Sequence, residues 1–262
     1  MIKLIVSDID GTLVPDGSHE MNPELLDVIM KIRENGVQFA AASGRQWASI
    51  ESIFGPIKEK VFYLSDNGAY VGCHGRNLFL NPIDRETVMD MVRDVRRMEG
   101  LEVMLSGPDV VYLETEKQDF IDWLVEGYQF RVKQVPDLTK VDSQFIKVSI
   151  YRETEVEEYT RELREKYKDR FKITIAGDMW MDCMKPGINK GQAVKLLQDS
   201  LEIKPEETMA FGDQLNDIEM LRTGDCFNKT RKHFFRKSTE ILGKRNVRKF
   251  NTKKKNWSIQ YT

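Results

Sequence analysis

The stretch Ile2-Lys3-Leu4-Ile5-Val6-Ser7-Asp8-Ile9-Asp10-Gly11-Thr12 decides how this chain is read. A short apolar, β-branched run closed by a glycine turn predicts a buried parallel strand. Asp8 and Asp10 then stand at its carboxyl end, where open α/β sheets keep their ligand crevice. Two carboxylates one residue apart repel each other, and an apolar strand end solvates them poorly. A hard divalent cation with oxygen ligands, Mg2+ for choice, is the simplest compensation. A carboxylate beside such a cation can also attack phosphorus and form an aspartyl-phosphate. An acidic turn after a strand is also an ordinary structural feature, so the rest of the chain has to decide between the two.

Outward from that strand, strand and helix alternate, which predicts a parallel sheet. Asn22-Pro23 opens a helix as N-cap and first residue, with Leu25, Ile29 and Ile32 as its apolar face. Strand 37–42 ends at Ser43-Gly44-Arg45, helix 46–54 stops at Gly55-Pro56, and strand 61–64 ends at Ser65-Asp66-Asn67-Gly68. From Pro82 the texture changes. The pattern predicts helix 84–99, a hairpin of strands 101–106 and 110–114, helix 116–127, strand 145–151, helix 153–168 and strands 171–176 and 179–184. Residues 134–144 read as a long loop. This describes helices on one side of a mostly antiparallel sheet, a small α+β domain. The parallel pattern resumes at Pro186 with helix 190–200 and strand 207–211. The domain reading is therefore a core of residues 1–81 and 186–262, interrupted by an insert at 82–185.

Composition narrows the class of function. An apolar fraction of 40% suits a sizeable core, and no run approaches the ~18 apolar residues of a membrane span. Cys73, Cys183 and Cys226 show no metal or redox spacing, which fits thiols in a reducing cytoplasm. His19, His74 and His233 fit no triad or zinc pattern. The net charge of −2 hides an asymmetry: positions 1–224 hold 28 basic and 40 acidic residues, and positions 225–262 hold twelve and two. An acidic body argues against general nucleic-acid binding.

Three further segments bear on the opening pair. Ser43-Gly44-Arg45 joins a hydroxyl and free N–H groups at a strand–helix junction, which suits a phosphate or a plain N-cap. Lys190 starts a helix, where the macrodipole prefers anions, so it either serves a nearby anion or is simply exposed. Gly212-Asp213-Gln214-Leu215-Asn216-Asp217 puts two acids and an amide at another strand end. Taken together, the segments supply carboxylates, a hydroxyl, an amide and a lysine at the same end of one sheet. That is the inventory for phosphoryl transfer: metal, nucleophile and donors for the equatorial oxygens.

With these segments in this order, the chain resembles the haloacid dehalogenase-like superfamily, in its Cof-type sugar-phosphatase branch. The resemblance covers about residues 1–224. It implies a Rossmann-like parallel core with an inserted α+β cap, and Mg2+-dependent hydrolysis of a small phosphate monoester such as a sugar phosphate. It further implies that Asp8 is the nucleophile and a metal ligand. Asp10 is general acid and base, with its carbonyl on the metal. Thr12 steadies the loop, and Ser43 and Lys190 hold the phosphoryl group. Asp213 ligates the metal, Asp217 supports it, and Asn216 contacts the phosphoryl group or substrate. Gly44, Arg45 and the Asn67-Gly68 turn match positions lining the site. A cap that closes over the site would read the leaving group, with Trp47, Trp180 and Asp182 as candidates for sugar contact beside their plainer role in packing. A phosphomutase-type phosphotransferase of the same fold is the alternative reaction.

After Leu221 the match ends. The family's closing strand and helix are replaced by Asp225-Cys226-Phe227-Asn228 and a Lys/Arg-rich stretch. Charge reversal and loss of periodicity at one point read as a shifted frame in the underlying gene, leaving the core without its last strand. A rival reading makes residues 229–255 a basic arm for RNA or acidic lipid on a scaffold, with Phe234, Phe235 and Trp257 for stacking.

Overall fold

The computed structural model describes residues 1–15, 20–73 and 75–224, and the backbone of Cys226–Asn228. His19, His74, His233 and the basic stretch from Lys229 lie outside the described residues. The core strands are β1 (Leu4–Asp8), β2 (Gln38–Ala42), β3 (Phe62–Ser65), β4 (Tyr70–Cys73) and β5 (Arg76–Leu80). Helices α1 (Pro23–Glu34) and α2 (Trp47–Phe54) lie between the first three. The insert contributes α3 (Arg85–Val95), β6 (Glu102–Ser106), β7 (Val111–Leu113), α4 (Gln118–Tyr128) and β8 (Val132–Gln134). It continues with β9 (Lys147–Tyr151), α5 (Val156–Tyr159), α6 (Arg161–Tyr167), β10 (Lys172–Ala176) and β11 (Trp180–Met184). The chain then returns to the core through α7 (Lys190–Leu201), β12 (Thr208–Phe211), α8 (Ile218–Leu221) and β13 (Cys226–Asn228).

The core sheet has the order β13-β12-β1-β2-β3-β4-β5. Its first five strands are parallel, and β4 and β5 add an antiparallel hairpin at one edge. Strand order reverses at β1, which lies between β12 and β2, so its carboxyl end is the topological switch point. Side chains alternate across the sheet. Ile5, Phe39 and Ala41 pack with Leu25, Ile29 and Ile32 of α1 and Ile50 and Phe54 of α2. Leu4, Val6, Ala40 and Ala42 pack with Ala193, Val194 and Leu197 of α7 and Met220 of α8 on the other face. A run apolar on both faces is what a covered parallel strand requires. The expected cap at Asn22 is present, its side chain accepting from the Glu24 N–H at 2.9 Å.

The insert sheet has the order β10-β11-β9-β6-β7-β8 and is antiparallel except for β7 and β8. Several expectations are corrected here. Helix α4 packs Phe120 and Leu124 against Met104 and Leu113, opposite the face that Val148 and Ile150 present to α3 and α6. The helices therefore cover both faces. The predicted helix 153–168 breaks at Thr160, whose hydroxyl bonds back to the Val156 carbonyl at 2.6 Å and competes with the helix ladder. The predicted loop 134–144 begins at the end of β8 and contains a short 3-10 turn at Leu138–Lys140. At the other end of the chain, β13 pairs with β12, so the core sheet does carry a strand there. Cys73 and Cys183 are buried. Among the described residues, no helix is long and apolar enough to cross a membrane.

Gly191 sits where α7 crosses α8: a Cβ there would lie 2.5 Å from the Glu219 carbonyl oxygen. Alanine ordinarily stabilises a helix over glycine by about 1 kcal/mol. Here overpacking reverses the sign, and Gly191→Ala should lose about 1–3 kcal/mol in urea unfolding. A stability gain would show that the two helices do not meet as described.

Candidate active site

The site grows from the carboxyl ends of four parallel strands. Asp8 is the last residue of β1, Ser43 follows β2, Asp66 follows β3, and Asp213 lies two residues past β12. Lys190 is the first residue of α7, whose N-cap Asn189 accepts from the Gln192 N–H at 2.9 Å. The structure thus brings Asp8, Asp213, Asp217 and Lys190 to one place.

Lys190 is 1% exposed, and its Nζ donates to Asp8 Oδ1 and Asp217 Oδ1, both at 2.6 Å. Burial alone would lower the pKa of this ammonium, but the facing Asp8 and Asp217 outweigh it and hold the value above normal. The same carboxylates offset the adverse position of a cation at a helix start. Burial pushes the Asp8 carboxyl up to about 7, with Lys190 pulling it down and Asp217 and Asp10 adding repulsion. The second Asp8 oxygen, Oδ2, is buried without a hydrogen-bond partner. Asp217 is fully buried, and its Oδ2 accepts the backbone N–H groups of Asp213 and Gln214, each at 3.0 Å. Asp213 is held by the Thr12 hydroxyl, which donates to its Oδ1 at 2.7 Å. Gly11 makes that approach feasible: its φ is +75°, and a Cβ would lie 2.4 Å from Asp213 Oδ2.

Asp8, Asp213 and Asp217 offer oxygens within 4.8 Å of one another. Three clustered carboxylates with one lysine, and a buried oxygen lacking a partner, suit a hard divalent cation. The Asp10 carboxylate faces elsewhere. It is gripped by the Arg45 guanidinium, Nη2 to Oδ1 at 2.5 Å and Nε to Oδ2 at 3.1 Å. Ser43 is buried, and its Oγ accepts the Arg45 N–H at 3.1 Å. Asn67 lies against Gly44, and Asn216 Nδ2 donates to Asn67 Oδ1 at 3.2 Å.

Both candidate tryptophans are engaged in packing, Trp47 at the contact between insert and core. Trp180 stacks against Trp123 and packs with Phe120, Tyr128 and Tyr151, inside the insert's aromatic cluster. Trp47 is buried in the core beside Tyr70 and carries Arg131 over its ring at 4.9 Å. Asp182 accepts from Ser149 Oγ at 2.6 Å and lies 3.9 Å from the Lys147 ammonium, which itself reaches the Gly44 carbonyl of the core. Lys147 and Asp66, a buried pair at 2.7 Å, went unnoticed as partners in the sequence. A lone lysine opening a strand carries no local signal of a partner some eighty residues away.

The raised Asp8 value fixes the sign of a pH effect. With no divalent cation, the stability that this carboxyl contributes is complete below its ordinary 3.8 and is lost as pH rises through about 7. In chelator, the melting temperature should therefore fall from about pH 5 to about pH 8 more steeply than in Asp8→Asn, and added Mg2+ should remove the difference. Parallel profiles for the two proteins would contradict the burial of an ionisable Asp8.

A family model described as haloacid dehalogenase-like hydrolase matches residues 5–225. A crystal structure of a protein from Eubacterium rectale is 33% identical, covers 87% of each chain and gives a TM-score of 0.80. The 5-amino-6-(5-phospho-D-ribitylamino)uracil phosphatase YbjI of Escherichia coli is 26% identical over 222 residues, 84% of this chain and 82% of its own. Phosphatase YwpJ of Bacillus subtilis is 26% identical over 249 residues, covering 84% of this chain and 86% of its own. The order of motifs, the two-sheet architecture and a match over most of the chain agree: the chain belongs to the haloacid dehalogenase-like hydrolases.

Proposed function

We propose that this chain is a Mg2+-dependent phosphatase that hydrolyses a small phosphate monoester, a sugar phosphate, through an aspartyl-phosphate on Asp8. The observation that carries the reading is Asp8 itself, buried at the switch point with Oδ1 on Lys190 and Oδ2 unpartnered beside further carboxylates. Relatives named as phosphatases support the class of reaction.

Asp8, Asp213 and the Asp10 carbonyl would hold the metal, with Asp217 in support. When bound, Mg2+ supplies charge neutralisation for the clustered carboxylates and the phosphoryl oxygens. Asp8 attacks phosphorus in line, forming an O–P bond while the bond to the leaving oxygen breaks. Asp10 gives that oxygen its proton. Water then attacks the aspartyl-phosphate, Asp10 takes the proton of the water, and the Asp8–phosphorus link breaks to release phosphate. Arg45 fixes the direction of the Asp10 carboxylate through its paired contacts. Lys190 and the Ser43–Arg45 loop are the donors for the phosphoryl oxygens, and preorganised donors of this kind supply most of the acceleration. Asp217 keeps Lys190 aimed at Asp8.

The insert, residues 82–185, acts as the cap over this site. Its strands β9 and β11 pair Ser149 with Asp182, which are hydrogen-bonded to each other, with Asp182 3.9 Å from the Lys147 ammonium that reaches the core. Hydroxyl and carboxylate groups suit a polyol leaving group, and one relative is named for a phosphoribityl compound. The test is phosphate release from a panel of sugar phosphates with and without Mg2+. Release should need the metal, and Asp8→Asn, with deamidation excluded, should lose roughly 10³-fold or more in kcat. Retained kcat in that variant sinks the nucleophile, and transfer between sugar positions without release would favour the mutase.

A further inference from the structure

Lys147, 5% exposed, is the first residue of the insert's central strand β9, yet its ammonium ends among core groups. Nζ lies 2.7 Å from Asp66 Oδ1 and 3.9 Å from Asp182 Oδ2, and donates to the Gly44 carbonyl at 3.2 Å. Burying such an ion pair costs several kcal/mol per ion and is often no more stabilising than an apolar pair of the same shape. A stability role alone is thus a weak reason for it.

What the pair touches is more specific. The carbonyl of Gly44 and the N–H of Arg45 belong to one peptide unit. Lys147 holds its carbonyl end, and its N–H end donates to Ser43 Oγ. The Arg45 side chain leaves that same unit to grip Asp10. On the other side, Asp66 and Asn67 both adopt left-handed backbone, φ 49° and 55°, with no glycine at either position. Two such residues in succession are strained and persist only where their surroundings hold them. Their N–H groups donate to the carbonyls of Arg45 and Ser43, at 3.0 and 2.9 Å. Lys147 therefore touches both halves of this clasp, donating to the Gly44 carbonyl of the loop and ion-pairing with Asp66 of the turn.

We propose that Lys147 is a positioning residue, carried in by the insert, that locks the Ser43-Gly44-Arg45 loop and the Asp66-Asn67 turn into the form that receives the phosphoryl group. The loop takes that form when the insert is seated. This rests on the reading of the Ser43 loop as a phosphoryl site, and it deepens that reading by making the insert part of the phosphate-binding machinery.

The test is the double variant Lys147→Met with Asp66→Asn, which removes both members of the buried pair and leaves the partly exposed Asp182 on its Ser149 hydrogen bond. Three measurements are made: thermal unfolding, hydrogen exchange of residues 43–46 and 65–68, and steady-state kinetics on para-nitrophenyl phosphate with Mg2+. The melting temperature should stay near that of the wild type. Exchange in the two segments should rise about tenfold, and kcat should fall roughly 10- to 100-fold with a much smaller change in KM, since misplaced groups lose transition-state contacts. Lys147→Gln with Asp66→Asn, which keeps a donor for the Gly44 carbonyl without a lone Asp66 charge, should lie between the two proteins, and it carries the test if the first double variant does not fold. Unchanged exchange in both segments, or an unchanged kcat, overturns the proposal. Absence of phosphate release from folded wild-type protein would instead defeat the phosphatase reading, while the exchange result still decides the role of Lys147.

Discussion

One buried ammonium between two buried carboxylates sets the terms for this structure. Lys190, Asp8 and Asp217 come from a helix start, a strand end and a turn far apart in the sequence. Each ion pays several kcal/mol to leave water, and removing one partner would strand the others. The cluster is tolerable only if all three elements arrive in register. That requirement explains the order β12-β1-β2, the close crossing of α7 and α8, and the two backbone N–H groups spent on Asp217. It also leaves an excess of negative charge. With Asp213 alongside, the acids outnumber the lysine, and a site left with buried unsatisfied oxygen is suited to a cation and to a phosphate that the cation can accompany.

Among the described residues, the insert meets the core through a few polar contacts and through Ile146, which packs in the core cluster. Lys147 reaches Gly44 and Asp66, and Met184 meets Asn67 through a sulfur contact at 3.8 Å. Arg131 lies over Trp47, ion-pairs with Glu51 at 3.3 Å, and gives its backbone N–H to Gln46 at 3.2 Å. Most of these contacts fall on the segment after β2 or on the turn bonded to it, not on the strand that carries Asp8. The loop after β2 is thus shaped from both sides, and the insert also reaches the segment before Lys190, where Lys172 donates to the Ile188 carbonyl at 2.8 Å.

Much of the site was legible because it is written locally. Asp8, Ser43 and Asp213 each follow an apolar run, and Lys190 follows a capping asparagine, so strand and helix ends could be counted without knowing the fold. What failed was what depends on distant neighbours. The amphipathic pattern of α4 marks Phe120 and Leu124 as buried but does not say which face of the sheet they cover. Trp180 offers a ring suited to a sugar, but four other aromatic residues of the insert claim it. The hairpin of β4 and β5 went unread because Gly72, His74 and Gly75 break the strand pattern there. Nothing local in the sequence pairs the Asp10 carboxylate with Arg45, and only the fold puts those two side by side.

The proposed reaction stands or falls on a bond between the Asp8 carboxylate and phosphorus. Acid quenching during turnover of a phosphate ester, followed by peptide mass spectrometry, tests it directly. A phosphoryl group should appear on the peptide that spans β1, confined to Asp8, formed only with Mg2+ and lost at neutral pH. Phosphate release from a folded chain with no acyl-phosphate at Asp8, or with the label on another residue, would contradict it.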